Sequence, residues 1–273
     1  MSNAQDSPEG WGRASRGYSE KVAPVLMSAF TTEFAERLEL SPDTRVIEVG
    51  AGSGALTEKL FPMAKSVHAT DYSEAMIDVL SERMQALGAD NVTCDVMDGQ
   101  NLEVSDNSYD ASASSFAIML FPDRSRGFAE LCRVTKPGGR ALVSGWSTPD
   151  KFEALGMLFG AMRLAFPDMP PPETPPPVFS LADPSQFKSE MQASGFKNVD
   201  VELVSRELRI ANSDVMWEML TIGAPPIQEL FEKIGESGKA KLRATLEAML
   251  AERFGQGEIV LNNEATVAVG IAT

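Results

Sequence analysis

The chain has 273 residues, 43% hydrophobic and 23% charged, and its 24 basic against 39 acidic side chains leave a formal net charge of −15. That length suits one large α/β domain with an insertion or two modest domains, and either core needs no disulfide staple. With no run of Lys or Arg, the acidity excludes nucleic acid and anionic lipid surfaces as partners, because affinity for phosphates comes from cationic side chains and released counterions.

Residues 1–17 read as a flexible segment without a signal-peptide pattern. Arg45–Val49 is short and β-branched, and Gly50-Ala51-Gly52-Ser53-Gly54 follows at once, then an amphipathic run over Ala55–Phe61. This spacing predicts a strand, a tight turn and a helix. The alternation repeats with a strand over Ser66–Thr70 and a helix over Ser73–Leu87 capped by Ser73. Strands over Asn91–Asp95 and Ala111–Phe116 follow, then a helix over Asp123–Val134 and a strand over Arg140–Trp146. Repeated βα units predict a Rossmann-like, doubly wound α/β fold with a mostly parallel sheet and ligands at the strands' carboxyl ends. Residues 18–146 form the core of this arrangement. Residues 147–195 read as a cap with a proline-rich connector at Pro170–Pro177, and residues 196–273 as antiparallel edge strands carrying a helical cap over 212–256.

No apolar run of about 18 residues is present, so no membrane span is expected. Cys94 and Cys132 lie in stretches that read as buried, and free thiols point to a reducing cytoplasm. The single histidine, His68, leaves too little material for a histidine-rich zinc site or a Ser-His-Asp triad, and no metal is expected. His68 falls inside the second strand, where a structural role is expected; Tyr109, just before the fourth, reads as packing.

A glycine-rich turn after a first strand is shared by dinucleotide-binding folds and by proteins that bind adenosyl ligands. Gly50, Gly52 and Ala55 satisfy a loose dinucleotide fingerprint, and Asp71 lies near the distance at which an acidic side chain holds ribose hydroxyls. Glu48 discriminates. A carboxylate two residues before Gly50 repels a pyrophosphate but suits an ammonium group with a neighbouring sulfonium. Asp98, after the third strand, supplies an acceptor for an adenine amine. Three acidic residues after successive strands thus match the three polar parts of S-adenosylmethionine.

The phrases Val46-Ile47-Glu48-Val49-Gly50-Ala51-Gly52-Ser53-Gly54, Asp71-Tyr72-Ser73, Asp98-Gly99, Asp106-Asn107-Ser108-Tyr109-Asp110 and Leu131-Cys132-Arg133-Val134-Thr135-Lys136-Pro137-Gly138-Gly139 together resemble the ordered motifs of class I S-adenosylmethionine-dependent methyltransferases, especially the quinone-biosynthesis type. The resemblance spans roughly residues 18 to 146. It implies Glu48 and the Gly50, Gly52 and Gly54 loop around the methionine end, Asp71 on ribose, Tyr72 and Met76 beside adenine, and Asp98 with Gly99 near its amine. It also implies that Ser115 and Phe116 close over the cofactor toward the acceptor, and that Trp11 and Tyr18 belong to a cover helix. S-adenosylhomocysteine is the product so implied.

In the later helices, Phe152, Met157, Phe159, Met216 and Trp217 are expected to line an apolar acceptor pocket. Methyl transfer by in-line displacement needs alignment more than a base, and no catalytic acid or base is singled out. The expected acceptor is a small, partly apolar metabolite, and the protein a monomer or homodimer. An NAD(P)-dependent oxidoreductase and a non-catalytic adenosyl-binding regulatory subunit stand as alternatives.

Overall fold

The computed structural model describes residues 8–170, 176–222 and 225–273. In chain order they form α1 (Pro8–Gly17), a π-helical stretch (Tyr18–Met27), α2 (Ser28–Arg37), β1 (Arg45–Val49), a short α3 (Thr57–Leu60), β2 (Ser66–Asp71), α4 (Glu74–Ala86), β3 (Val92–Val96) and β4 (Tyr109–Ser115). Then come α5 (Arg124–Val134), β5 (Thr135–Trp146), α6 (Glu153–Ala165), α7 (Pro184–Ala193), β6 (Phe196–Ile210), α8 (Ser213–Ile222), α9 (Pro225–Phe254) and β7 (Ile259–Ala272).

The strands make one 7-stranded sheet in the order β3-β2-β1-β4-β5-β7-β6. β1 lies inside the sheet, parallel to its neighbours β2 and β4, and its run Val46, Ile47, Glu48, Val49 is buried throughout. A strand covered on both faces needs such an unbroken apolar run, which makes the one charged residue in it conspicuous. β7 runs antiparallel to both β5 and β6, pairing Val143 with Ala268 on one side and Val201 with the same Ala268 on the other. The α/β, mostly parallel architecture with an antiparallel edge is therefore as the repeated βα pattern dictates.

Local differences have physical causes. The segment expected to be flexible through residue 17 is helical from Pro8, with α1 docked on α4, where a Cβ on Gly12 would sit 3.6 Å from that of Ala75. Ser73 occupies the N-cap of α4 but makes no side-chain capping bond. Asp71 serves the turn instead, its Oδ1 accepting from the Ser73 amide at 2.9 Å. Asp123 and Asp183 do cap α5 and α7 through their side chains. The thiols of Cys94 and Cys132 are free but only half-buried, not core residues. Residues 171–175 of the proline-rich connector lie outside the described residues. No helix among the described residues is long and apolar enough to cross a membrane.

Candidate functional site

The carboxyl ends of β1, β2, β3 and β4 open onto a cavity of about 230 Å³, and the turns that leave them line it. Its floor is the β1 turn. Gly50 and Gly52 take φ of 71° and 54°, the left-handed region that glycine enters without steric cost. A side chain on Gly50 would drive into that of Ala117, just beyond β4, so the two turns close on each other only because this position is bare. Gly52 meets nothing within 4 Å of where a Cβ would stand, and its amide donates to Asp71 Oδ2 at 2.9 Å.

Glu48 and Asp71 are the carboxylates buried among the described residues, at 1% and 8% exposure, and both line this cavity. Desolvation pushes the Glu48 carboxyl up to about 8; the Thr57 hydroxyl, donating to Oε2 at 2.6 Å, works against this, and the charge of Asp71 adds to it. Asp71 is likewise raised by burial, opposed by the amides of Ser73, Gly52 and Tyr72. Burying two acids side by side is costly unless a cation or hydrogen-bond donors arrive to meet them. The phenol of Tyr18 is pushed strongly upward by burial, with Asp71 adding to the effect, so it stays a neutral donor.

Around these acids the cavity gathers Trp11, Tyr18, Gly50, Gly52, Tyr72, Met76, Asp98, Gly99, Ser115 and Phe116, all singled out from the sequence. Trp11 and Tyr18 meet edge to face at 5.7 Å. Asp98 is exposed and its Oδ1 accepts from the Gln100 amide at 2.9 Å, an Asx turn that shapes the loop after β3. Gly99 is packed so closely that a Cβ would lie 2.6 Å from both Val49 and Phe121. Phe116 holds a left-handed φ of 56°, rare for an aromatic residue. Its amide is fixed by Ser144 at 3.1 Å, and its ring stacks on Trp146 at 4.2 Å. Strain of this kind persists where the surroundings over-determine it and concentrates at functional sites.

Other expected positions fall elsewhere. Gly54 is absent from the lining; it turns toward α4, where a side chain would collide with Leu80. Phe152, Met157, Phe159, Met216 and Trp217 do not line the cavity either. Phe152 stacks on Trp146 at 4.1 Å, extending the aromatic column away from the cleft, and Trp217 packs on Phe231. Met157 and Met216 are core, at 8% and 1% exposure, and Phe159 packs against that core. Of the Met-rich helices, α6 packs on α9 and β7, and α8 on α9, β6 and the π-helical stretch. Conversely, Ala23, Met27, Thr31, Leu120 and Phe121 line the cavity without having been anticipated. His68 sits on β2 outside it, bonded to Tyr109 and Asp95. No group of three potential metal ligands occurs among the described residues.

The site fits an adenosyl ligand bearing an ammonium group: two desolvated acids await a cation and a diol, and the Ser53 hydroxyl, buried in the lining, has no hydrogen-bond partner. Residues 46–139 match the family described as a methyltransferase domain. A demethylmenaquinone methyltransferase of Corynebacterium kroppenstedtii is 36% identical over 114 residues, 42% of this chain and 47% of that protein. The chain thus spans about half the length of such relatives. Methyltransferase ktnA of Aspergillus niger aligns over 98% of both chains at 25% identity. The YcgJ protein of Bacillus subtilis has the same fold, with a TM-score of 0.57 at 19% identity, covering 88% of this chain and 97% of that one. By these comparisons the chain is similar to S-adenosylmethionine-dependent methyltransferases, and residues 46–139 carry its match to the methyltransferase domain.

Proposed function

We infer that this protein transfers a methyl group from S-adenosylmethionine to a small, partly apolar metabolite. The observation that carries this reading is the pair of buried carboxylates, Glu48 and Asp71, converging on one glycine turn. When bound, the cofactor supplies a sulfonium-activated methyl carbon. Glu48, steadied by Thr57, takes the amine end, and the backbone at Gly50 and Gly52 allows close approach there. Asp71 accepts from ribose hydroxyls, Tyr72 and Met76 flank the adenine, and Asp98 with Gly99 meets its edge. Tyr18, Ser115 and Phe116 lie toward the acceptor side and exclude water with Trp11.

Among the described residues the cavity lining contains no histidine and no lysine or arginine. The protein's contribution is therefore alignment and dehydration of the acceptor, effects that contribute on the order of 7–11 kcal/mol in well-positioned reactions. A pyrophosphate would face Glu48 and Asp71 with no cation between, which sets the nicotinamide reading aside. We place the protein in the cytoplasm, where half-buried thiols such as Cys94 and Cys132 stay reduced, acting as a monomer or homodimer on a small-molecule acceptor.

Calorimetric titration tests the reading directly. S-adenosylhomocysteine should bind in the micromolar range and NADH should not. Asp71→Ala should weaken the adenosyl ligand by about 1–3 kcal/mol through lost hydrogen bonds to an ionised acceptor. NADH binding without adenosyl binding, or unchanged affinity in the variant, sinks the proposal.

A further inference from the structure

Part of the cavity wall is not used by the proposed adenosyl contacts. Ala23, Met27 and Thr31 line it at four-residue spacing, each of them buried, with Thr31 only 1% exposed. Tyr18 lines the same cavity five residues before Ala23. In an α-helix a five-residue step turns a side chain well away from its predecessor, whereas the i→i+5 winding of Tyr18–Met27 brings the two back into line. The π winding thus lays Tyr18, Ala23, Met27 and Thr31 along a single wall. Phe116 adjoins it, its ring lying 5.8 Å from those of Phe30 and Phe34 on α2.

The chemistry of this wall is narrow. Among the described residues the cavity offers no cation to an anionic acceptor. The Thr31 hydroxyl is poorly served within the protein: its bond to the Ser28 carbonyl is stretched to 3.5 Å, beyond ordinary hydrogen-bond length. A buried hydroxyl in that position gains from a ligand atom that completes it.

Resting on the methyl-transfer reading, we propose that this wall, rather than the later helices, selects the acceptor, and that Thr31 positions it through a hydrogen bond to an oxygen on an uncharged, largely apolar molecule. Thr31 is a positioning and specificity residue; nothing requires it to move a proton.

The test uses the full chain saturated with S-adenosylhomocysteine, with 1-naphthol and naphthalene as probes differing by one hydroxyl, followed by equilibrium dialysis. Thr31→Val should weaken 1-naphthol by roughly three- to tenfold, the loss of one net hydrogen bond, while leaving naphthalene and S-adenosylhomocysteine unchanged; Thr31→Ser should retain the 1-naphthol affinity. Met27→Ala, which deepens the wall, should shift preference from 1-naphthol toward the three-ring 9-phenanthrol, and it decides alone if Thr31→Val melts below the assay temperature. Equal effects of Thr31→Val on both naphthalene probes, no effect on either, no shift in preference with Met27→Ala, or no probe binding to the loaded wild type overturns the proposal. If the wild type does not bind S-adenosylhomocysteine, the methyl-transfer reading itself fails, and this proposal with it.

Discussion

Burial leaves Glu48 a neutral acid at pH 7 in the free protein, since its pKa stands at about 8 against an ordinary 4.5. Folding therefore takes up a proton at this residue. Its contribution to stability is complete below the unfolded value of 4.5 and is lost as pH rises through about 8. Arrival of an ammonium group reverses the preference, because an adjacent positive charge favours the carboxylate. Two outcomes follow for Glu48→Gln. The melting temperature of the free variant should fall less between pH 5 and 8 than that of the parent. Calorimetry of S-adenosylhomocysteine in buffers of different ionisation enthalpy should show proton release at pH 7 in the parent and markedly less in the variant. Equal proton release in both would mean that the amine is not held at Glu48.

Between elements, side-chain contacts divide framework from site. His68 on β2 reaches Tyr109 on β4 through Nδ1 at 2.5 Å and Asp95 on β3 through Nε2 at 2.7 Å, tying together strands on both sides of β1. Exchanging it for glutamine breaks this span but touches nothing in the cavity. His68→Gln should cost about 1–2 kcal/mol in urea unfolding, from lost hydrogen bonds, with adenosyl affinity unchanged; a catalytic loss with stability intact would contradict this. Phe152 belongs to the framework for a different reason. It is 5% exposed and stacked on Trp146, so Phe152→Ala should destabilise by about 3–5 kcal/mol by opening a cavity. A change of acceptor preference in a fully stable Phe152→Ala would return the later helices to the acceptor site.

Across the whole molecule, what the sequence made legible depended on how local the signal was. The strands alternate apolar runs with glycine and capping residues within a few positions, so the order of βα units and the convergence of Glu48, Asp71 and Asp98 at one sheet end could be read directly. Gly54 shares its motif with Gly50 and Gly52 yet packs on Leu80, because motif membership says nothing of which way a turn faces. The cap residues lie outside this cavity for a related reason: Met and Phe at helical spacing describe a buried face without naming what buries it. Ala23, Met27 and Thr31 escaped notice because they are ordinary helix residues, and because α periodicity separates Tyr18 from them where the actual π winding does not.

The position of β7 in the sheet also governs the order in which this protein becomes itself. Among the described residues, those lining the cavity run from Trp11 to Pro122, so a ribosome has delivered this ligand-binding apparatus long before it reaches Ile259. Until then β5 keeps one edge open and β6 has no partner strand, because both pair with β7, which lies between them. A nascent chain halted in α9 carries all of its recognition chemistry on a sheet with raw edges, the kind of surface that recruits chaperones or other copies of itself. Deleting Ile259–Ala272 should accordingly yield aggregated protein whatever ligand is supplied, as size-exclusion chromatography would show. In this fold, competence to bind is encoded early and permission to persist is granted late.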